Sequence, residues 1–211
     1  QHVFLQQFES ANNSVLAHFH SIFHYKNSSS LSSISIKKYG NIIMGNRRLH
    51  GYENWGKYEF ATNGSEQLFG EYHQIDITQK TCFKINRDDD LICNTQFSTT
   101  SNIHRFDKLN DIENGHQKYS SWYYGPQKRL LHSWSYSSKS RTYLFNSSSI
   151  ALSYQNIGES RHKKNLDEIF FTRRFEDLNI LDIKLNMKKR FVQTSINYGG
   201  DIRYQNLKSS A

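Results

Sequence analysis

Three groups of residues in this 211-residue chain could do chemistry by type and spacing. His18, His20 and His24 fall on one side of any strand drawn through them, and His-x-His is a spacing that metal sites use. No second-strand ligand is evident beside them, so a solvated polar face is the competing reading and no metal is assigned. Asp88-Asp89-Asp90 is acidic enough to suggest calcium, but it lacks the Gly and Glu of a calcium loop, and aspartates are ordinary at a hairpin tip. The third group lies in EIFFTRRFEDLNILDIKLNMKKRFV, residues 168–192.

Which charges of that stretch point inward depends on its turns. With Lys188-Lys189 as a two-residue turn, Leu185 pairs with Val192, Ile183 with Thr194 and Leu181 with Ile196. Carried across a second turn at Glu176-Asp177, the same apolar face brings Phe170 opposite Ile183 and turns Glu168 and Arg174 inward. A carboxylate and a guanidinium in a small core are costly unless paired. They either pair with each other as packing or form a clamp for a ligand carboxylate through the bidentate geometry of arginine. Trp122, Tyr124, His132, Trp134 and Tyr136 share strand parity and would wall such a pocket or simply fill the core.

Covalent and nucleotide chemistry have no signature. No Gly-x-Ser-x-Gly elbow and no Gly-rich phosphate loop occur, so we read the chain as non-catalytic. Its formal net charge of +8 and pI near 9.4 suit an anionic partner: nucleic acid, an acidic protein surface, a membrane face or a ligand carboxylate. A merely basic soluble surface is the bland reading. The basic runs Arg161-His162-Lys163-Lys164 and Lys188-Lys189-Arg190 are expected in loops or turns. No nucleic-acid module is recognisable, which leaves an RNA-associated peripheral subunit as a third reading only.

The elements that must position these residues are short alternating runs: 16–26, 31–39, 57–62, 66–78, 81–85, 91–99, 118–124, 128–136, 141–145, 149–155, 166–175, 178–187 and 190–198, punctuated by Asn63-Gly64, Gly125-Pro126 and Asn146-Ser147. Ahead of them, Phe4 and Phe8 sit at helical spacing, and a helix is expected over 3–12. A meander of this many strands removes its edges by closing, so the expected fold is all-β: one domain over 1–211, a closed antiparallel up-and-down barrel of calycin type with a short N-terminal helix. A sandwich is the alternative. Cys82 and Cys93 could meet across a hairpin, but a register shift would separate them, and two free thiols are expected. The N-x-[ST] triplets at Asn12, Asn27, Asn63 and Asn146 do not establish secretion in a chain this rich in Asn and Ser. No apolar run approaches the roughly 18 residues of a spanning helix, so no transmembrane segment is expected, with peripheral membrane contact open. A start at Gln1 rather than Met suggests a processed N-terminus, for which a removed targeting peptide is one explanation.

The C-terminal order of a strand carrying Arg173-Arg174, a further hairpin and a last strand with Gly200-Asp201-Ile202-Arg203 resembles the end of the S-type phycobiliprotein lyases and their plastid and cyanobacterial calycin relatives, with Asp201 in place of the usual Glu. Phe19-His20-Ser21-Ile22-Phe23 stands where that family has its first barrel strand. The resemblance implies a barrel that carries a bilin, an open-chain tetrapyrrole, by its propionates and hands it to a phycobiliprotein-like or other acidic partner. Arg173 or Arg174 and Arg203 would be the anion clamps, and the compartment a plastid; Glu168, Trp122, His132 and Trp134, taken from the strand pairing and parity above, complete the candidate ligand-binding set. A relative that lost the chemistry would serve instead as an assembly subunit docking on a photosynthetic or other organellar complex.

Overall fold

The computed structural model describes residues 1–45, 62–63 and 65–211. The strand expected at 57–62 and the Asn63-Gly64 turn lie outside the described residues except at their ends. Ile, Phe, Tyr and Thr alternating with Ser, Gln and Lys at a period of two drive most of the chain into strands, because one face of each ribbon can then be apolar throughout. We number the strands of the main sheet β1 (His2–Glu9), β2 (Ser14–His24), β3 (Ser28–Tyr39), β4 (Tyr72–Lys84), β5 (Asp89–Thr100), β6 (Ile103–His104), β7 (Tyr119–Tyr124), β8 (Lys128–Ser138), β9 (Ser147–Asn165), β10 (Thr172–Arg190) and β11 (Ser195–Ser210). A single helical turn, α1 (Phe106–Leu109), lies between β6 and β7.

All pairings are antiparallel between neighbours in the chain, and β5–β6 and β7–β8 each run end to end, so the eleven pieces form nine strand lines. The sheet is open. Among the described residues β1 and β11 each have one neighbour, so the closure expected from the sequence is not made.

Several expectations are corrected. The segment expected as a helix over 3–12 is mostly strand, with β1 paired to β2 from His2↔Ser21 to Glu9↔Ser14. Phe4 and Phe8 are four apart, a spacing that strand and helix share; the turn between the strands is made by Asn13, at φ 48. Neither Glu176-Asp177 nor Lys188-Lys189 turns, because β10 runs unbroken from Thr172 to Arg190 and the hairpin lies at 191–194. Leu185 therefore faces Gly200 rather than Val192. Both basic runs sit in strands, where alternation sends successive charges to opposite faces. Cys82 and Cys93 are free, as expected: Thr81 pairs with Cys93 and Cys82 with Ile92, so the two thiols lie on opposite faces.

One face, here called outward, carries Phe4, Phe19, Ile34, Ile77, Phe97 and Leu130 along a single row of register partners. That row becomes Asn156, Asn179 and Asn206 on β9 to β11. A second outward row begins polar, at Ser30 and Thr81, then continues as Cys93, Trp134, Leu152, Ile183 and Ile202. The apolar belt thus crosses the register obliquely. It shifts by about one residue per strand, which at a spacing of about 4.8 Å and a rise of about 3.3 Å inclines the strands by roughly 35° to the normal of the belt. Tilts of about that size are those at which sheets curl into barrels.

The connections at the two ends of the sheet differ. Residues 25–27, 85–88, 139–146 and 191–194 make the links at one end; the other end has 40–71, 105–118 and 166–171 together with the tight 10–13 link. We call these the short-turn and long-loop ends.

Candidate functional site

At the long-loop end β9 and β10 outrun the belt, and β7 lies along β9 with Tyr124 opposite Arg161 and Trp122 opposite Lys163. Gly125 makes the break between β7 and β8: a Cβ there would collide with Ser160 and His162. Across this break the register slips by one residue, which flips the faces. Trp122 and Tyr124 point inward, whereas His132, Trp134 and Tyr136, of the same number parity, point outward. The shared pocket wall expected of these five residues is therefore not formed.

The inward side at this end gathers a basic and aromatic cluster. Trp122 is 7% exposed and packs on Leu109, itself 5% exposed, with Phe106, Tyr119 and Tyr124 around them. The Arg105 guanidinium lies 5.3 Å from the Trp122 ring centre and 5.8 Å from that of Tyr124, and that of Arg161 lies 5.7 and 5.6 Å from the same two rings. Two guanidiniums on two electron-rich faces gain cation–π attraction while their edges stay free to donate. Arg105 donates to Tyr124 Oη at 3.1 Å and to Asp107 Oδ1 at 2.7 Å. The hydrogen bonds from Arg105 hold the Asp107 carboxyl below its usual range, and the same carboxylate raises Arg105. Arg174, opposite Arg161 in register, is paired to Glu176 at 2.8 Å. Among the described residues Arg161 and Lys163 have no carboxylate within ion-pair distance. An uncompensated guanidinium braced by aromatic rings is suited to binding an anion, and an aromatic or conjugated anion most of all.

Of the residues singled out from sequence, Trp122, Tyr124 and Arg174 belong to this cluster. Arg203 is inward but eight positions along β10 from Arg174, bonded to Asp182 through Nε at 2.7 Å. Arg173 is outward, its guanidinium 5.8 Å from the Phe171 ring. Glu168 does not point into the sheet: it lies in the 166–171 loop and accepts from Asn165 Nδ2 at 2.9 Å. His132 and Trp134 meet edge-on at 4.2 Å on the outward face, where His132 Nδ1 lies 2.6 Å from Thr95 Oγ1. Arg105 and Arg161 were missed. The signal for Arg161 was its place in a basic run, once that run is placed on a strand; no signal marked Arg105. His18 and His20 do share a face, with His18 Nε2 3.1 Å from His20 Nδ1, and among the described residues no group of three or more His, Cys, Asp or Glu is placed to hold a metal.

No family model matches the sequence, and no curated protein matches it. Among solved structures the fold is similar to the ferric enterobactin receptor PfeA (G324V mutant) of Pseudomonas aeruginosa, with a TM-score of 0.60 and 15% identity over 98% of this chain and 30% of the receptor. The chain spans under a third of that protein's length, and the likeness is one of fold.

Proposed function

We propose that these strands form part of the wall of a membrane-embedded β-barrel, with the outward belt in lipid and the inward face lining a watery passage for an anionic solute. The observation that carries this reading is the oblique belt. Side chains such as Phe4, Phe8 and Ile202 are 65–71% exposed, a placement water would penalise and hydrocarbon would not. No helix among the described residues is long and apolar enough to cross a membrane, but a spanning strand needs only about 9–11 residues. Mostly short turns at one end, with 139–146 the exception, and mostly longer links at the other are also the habit of such barrels.

The open edges agree with this reading. With nine strand lines, β1 and β11 run parallel to each other, so antiparallel closure needs an odd number of further strands between them. The likeness to a receptor three times as long supports a wall that is one sector of a larger barrel. On the inward face cations outnumber carboxylates, and the Arg105–Arg161–Trp122–Tyr124 cluster stands at the long-loop mouth, where an aromatic or conjugated acid would first meet it. Ferric enterobactin, named for the similar receptor, and the open-chain tetrapyrrole expected from sequence are both probes of that class.

The test is integration followed by binding. The protein should resist carbonate extraction from membranes and migrate differently on gels before and after boiling; release by carbonate ends the proposal. Arg161→Gln should weaken binding of an aromatic carboxylate probe by roughly tenfold, the worth of one charge-assisted bond of about 1.5 kcal/mol, without altering integration.

A further inference from the structure

Outward cations stand along one border of the apolar belt. Lys38 pairs in register with His73, one row beyond Ile36 and Ile75. Lys128 continues the Ile36–Ile75–Thr99 row on β8. Lys38, His73 and Lys128 are exposed, and among the described residues no ion pair holds any of the three. They span four adjacent strand lines, about 15 Å at the usual strand spacing. The opposite, short-turn border carries Asp89, Ser138 and Ser148 along one row of partners. These three cations lie on the long-loop side, whereas the outward Lys189 at the short-turn end donates to the Thr142 carbonyl at 2.8 Å.

From this border we propose a lipid-binding site: Lys38, His73 and Lys128 hold phosphate-bearing lipid headgroups in the leaflet on the long-loop side. The inference rests on the membrane reading above and adds to it a ligand class and a leaflet. A free phosphate on an open, flat face would keep its hydration, because no enclosing donors replace it. A lipid brings acyl chains that cover Ile36, Ile75 and Phe97 just inside the same border, so headgroup and chains are recognised together.

The experiment uses the protein purified from its membrane in a zwitterionic detergent, as wild type, as K38Q/H73Q/K128Q, as the charge-preserving K38R/K128R, and as K184Q on the inward face. Native mass spectrometry follows retention of dioleoyl phosphatidic acid against dioleoyl phosphatidylcholine, with and without millimolar inorganic phosphate. Wild type, K38R/K128R and K184Q should retain phosphatidic acid roughly tenfold or more better than the triple variant, the scale expected of two lysines at an anionic surface, and inorganic phosphate should not displace it. Equal retention by the triple variant, loss in K184Q, or displacement by inorganic phosphate would each overturn the assignment. Carbonate extraction of the wild type separates the two levels of failure: release overturns the membrane reading itself, whereas integration without lipid discrimination removes this site alone.

Discussion

The two faces of the same strands satisfy their side chains by opposite means. On the inward face polar groups find one another: Asp76 accepts from Ser98 at 2.6 Å and Gln74 at 2.8 Å and pairs with Lys37 at 3.0 Å, while Arg203 reaches across to an Asp182 side chain that is 7% exposed. On the outward face the belt has almost no internal partners, and large apolar groups stand free. One face is complete within the sheet; the other needs a medium. A soluble protein would cover such a face with a second layer, and among the described residues none is present. This contrast is why the fold points to a surrounding solvent that is itself apolar.

The largest expected effect comes from reversing the outward chemistry at mid-belt. Ile183→Arg should destabilise the protein by about 2–4 kcal/mol, the depth-dependent penalty for a charge facing lipid, measured by denaturant titration in phosphatidylcholine vesicles. The adjacent inward change Lys184→Leu should stay within about 0.5 kcal/mol. Similar costs at both positions would erase the distinction between the faces.

Much of this contrast was readable in the sequence and some was not. Strand existence was legible wherever apolar and polar residues alternate, as in 91–99 and 128–136, because period two has one structural meaning over that length. Strand length was not. Glu176-Asp177 and Lys188-Lys189 read as turns because adjacent charges rarely sit inside a strand of ordinary length, whereas β10 has 19 residues and puts one charge of each pair on either face. The basis for the proposed medium was not legible either, since hydropathy was weighed for helices alone and a strand contributes only every second residue to the belt. The inward cluster depended on the one-residue slip at Gly125-Pro126-Gln127, which no composition or parity argument contains.

Within the inward face, the Asp182–Arg203 pair should show a coupling of about 1–2 kcal/mol in a double-mutant cycle of Asp182→Asn and Arg203→Gln, intermediate between exposed and buried pairs. Both guanidinium bonds go to Oδ2 and leave Oδ1 buried without a partner, so Asp182→Asn keeps the shape and removes mainly the charge. Additive single effects would mean that the inward network contributes no more than loose surface charge.

A smaller effect tests the cluster at the long-loop end. Asp107 titrates below its ordinary value of 3.8 because Arg105 binds its charged form. A depressed folded value means that the stabilisation is complete above the ordinary carboxylate value and is lost as pH falls through the folded one. Trp122 emission should therefore change in acid below about pH 4, and Asp107→Asn should show the low-pH emission at neutral pH. An emission profile flat across that range in the wild type would detach Arg105 and Asp107 from the ring cluster.

The last expected effect carries no change in stability, yet it reads the two faces directly. Cys82 is inward and Cys93 outward on neighbouring strands, so in a membrane one thiol meets water and the other meets lipid. A charged, membrane-impermeant maleimide admitted to both sides should label Cys82 in a Cys93→Ser background and leave Cys93 unlabelled in a Cys82→Ser background. A nitroxide placed on the lipid acyl chains should quench a fluorophore on Cys93 and spare one on Cys82. The thiolate is the reactive form, and it does not persist in hydrocarbon, so the contrast depends on the medium rather than on packing. Equal labelling of the two positions would mean that both faces are wet, and the exposed belt would then require a protein partner instead of a bilayer.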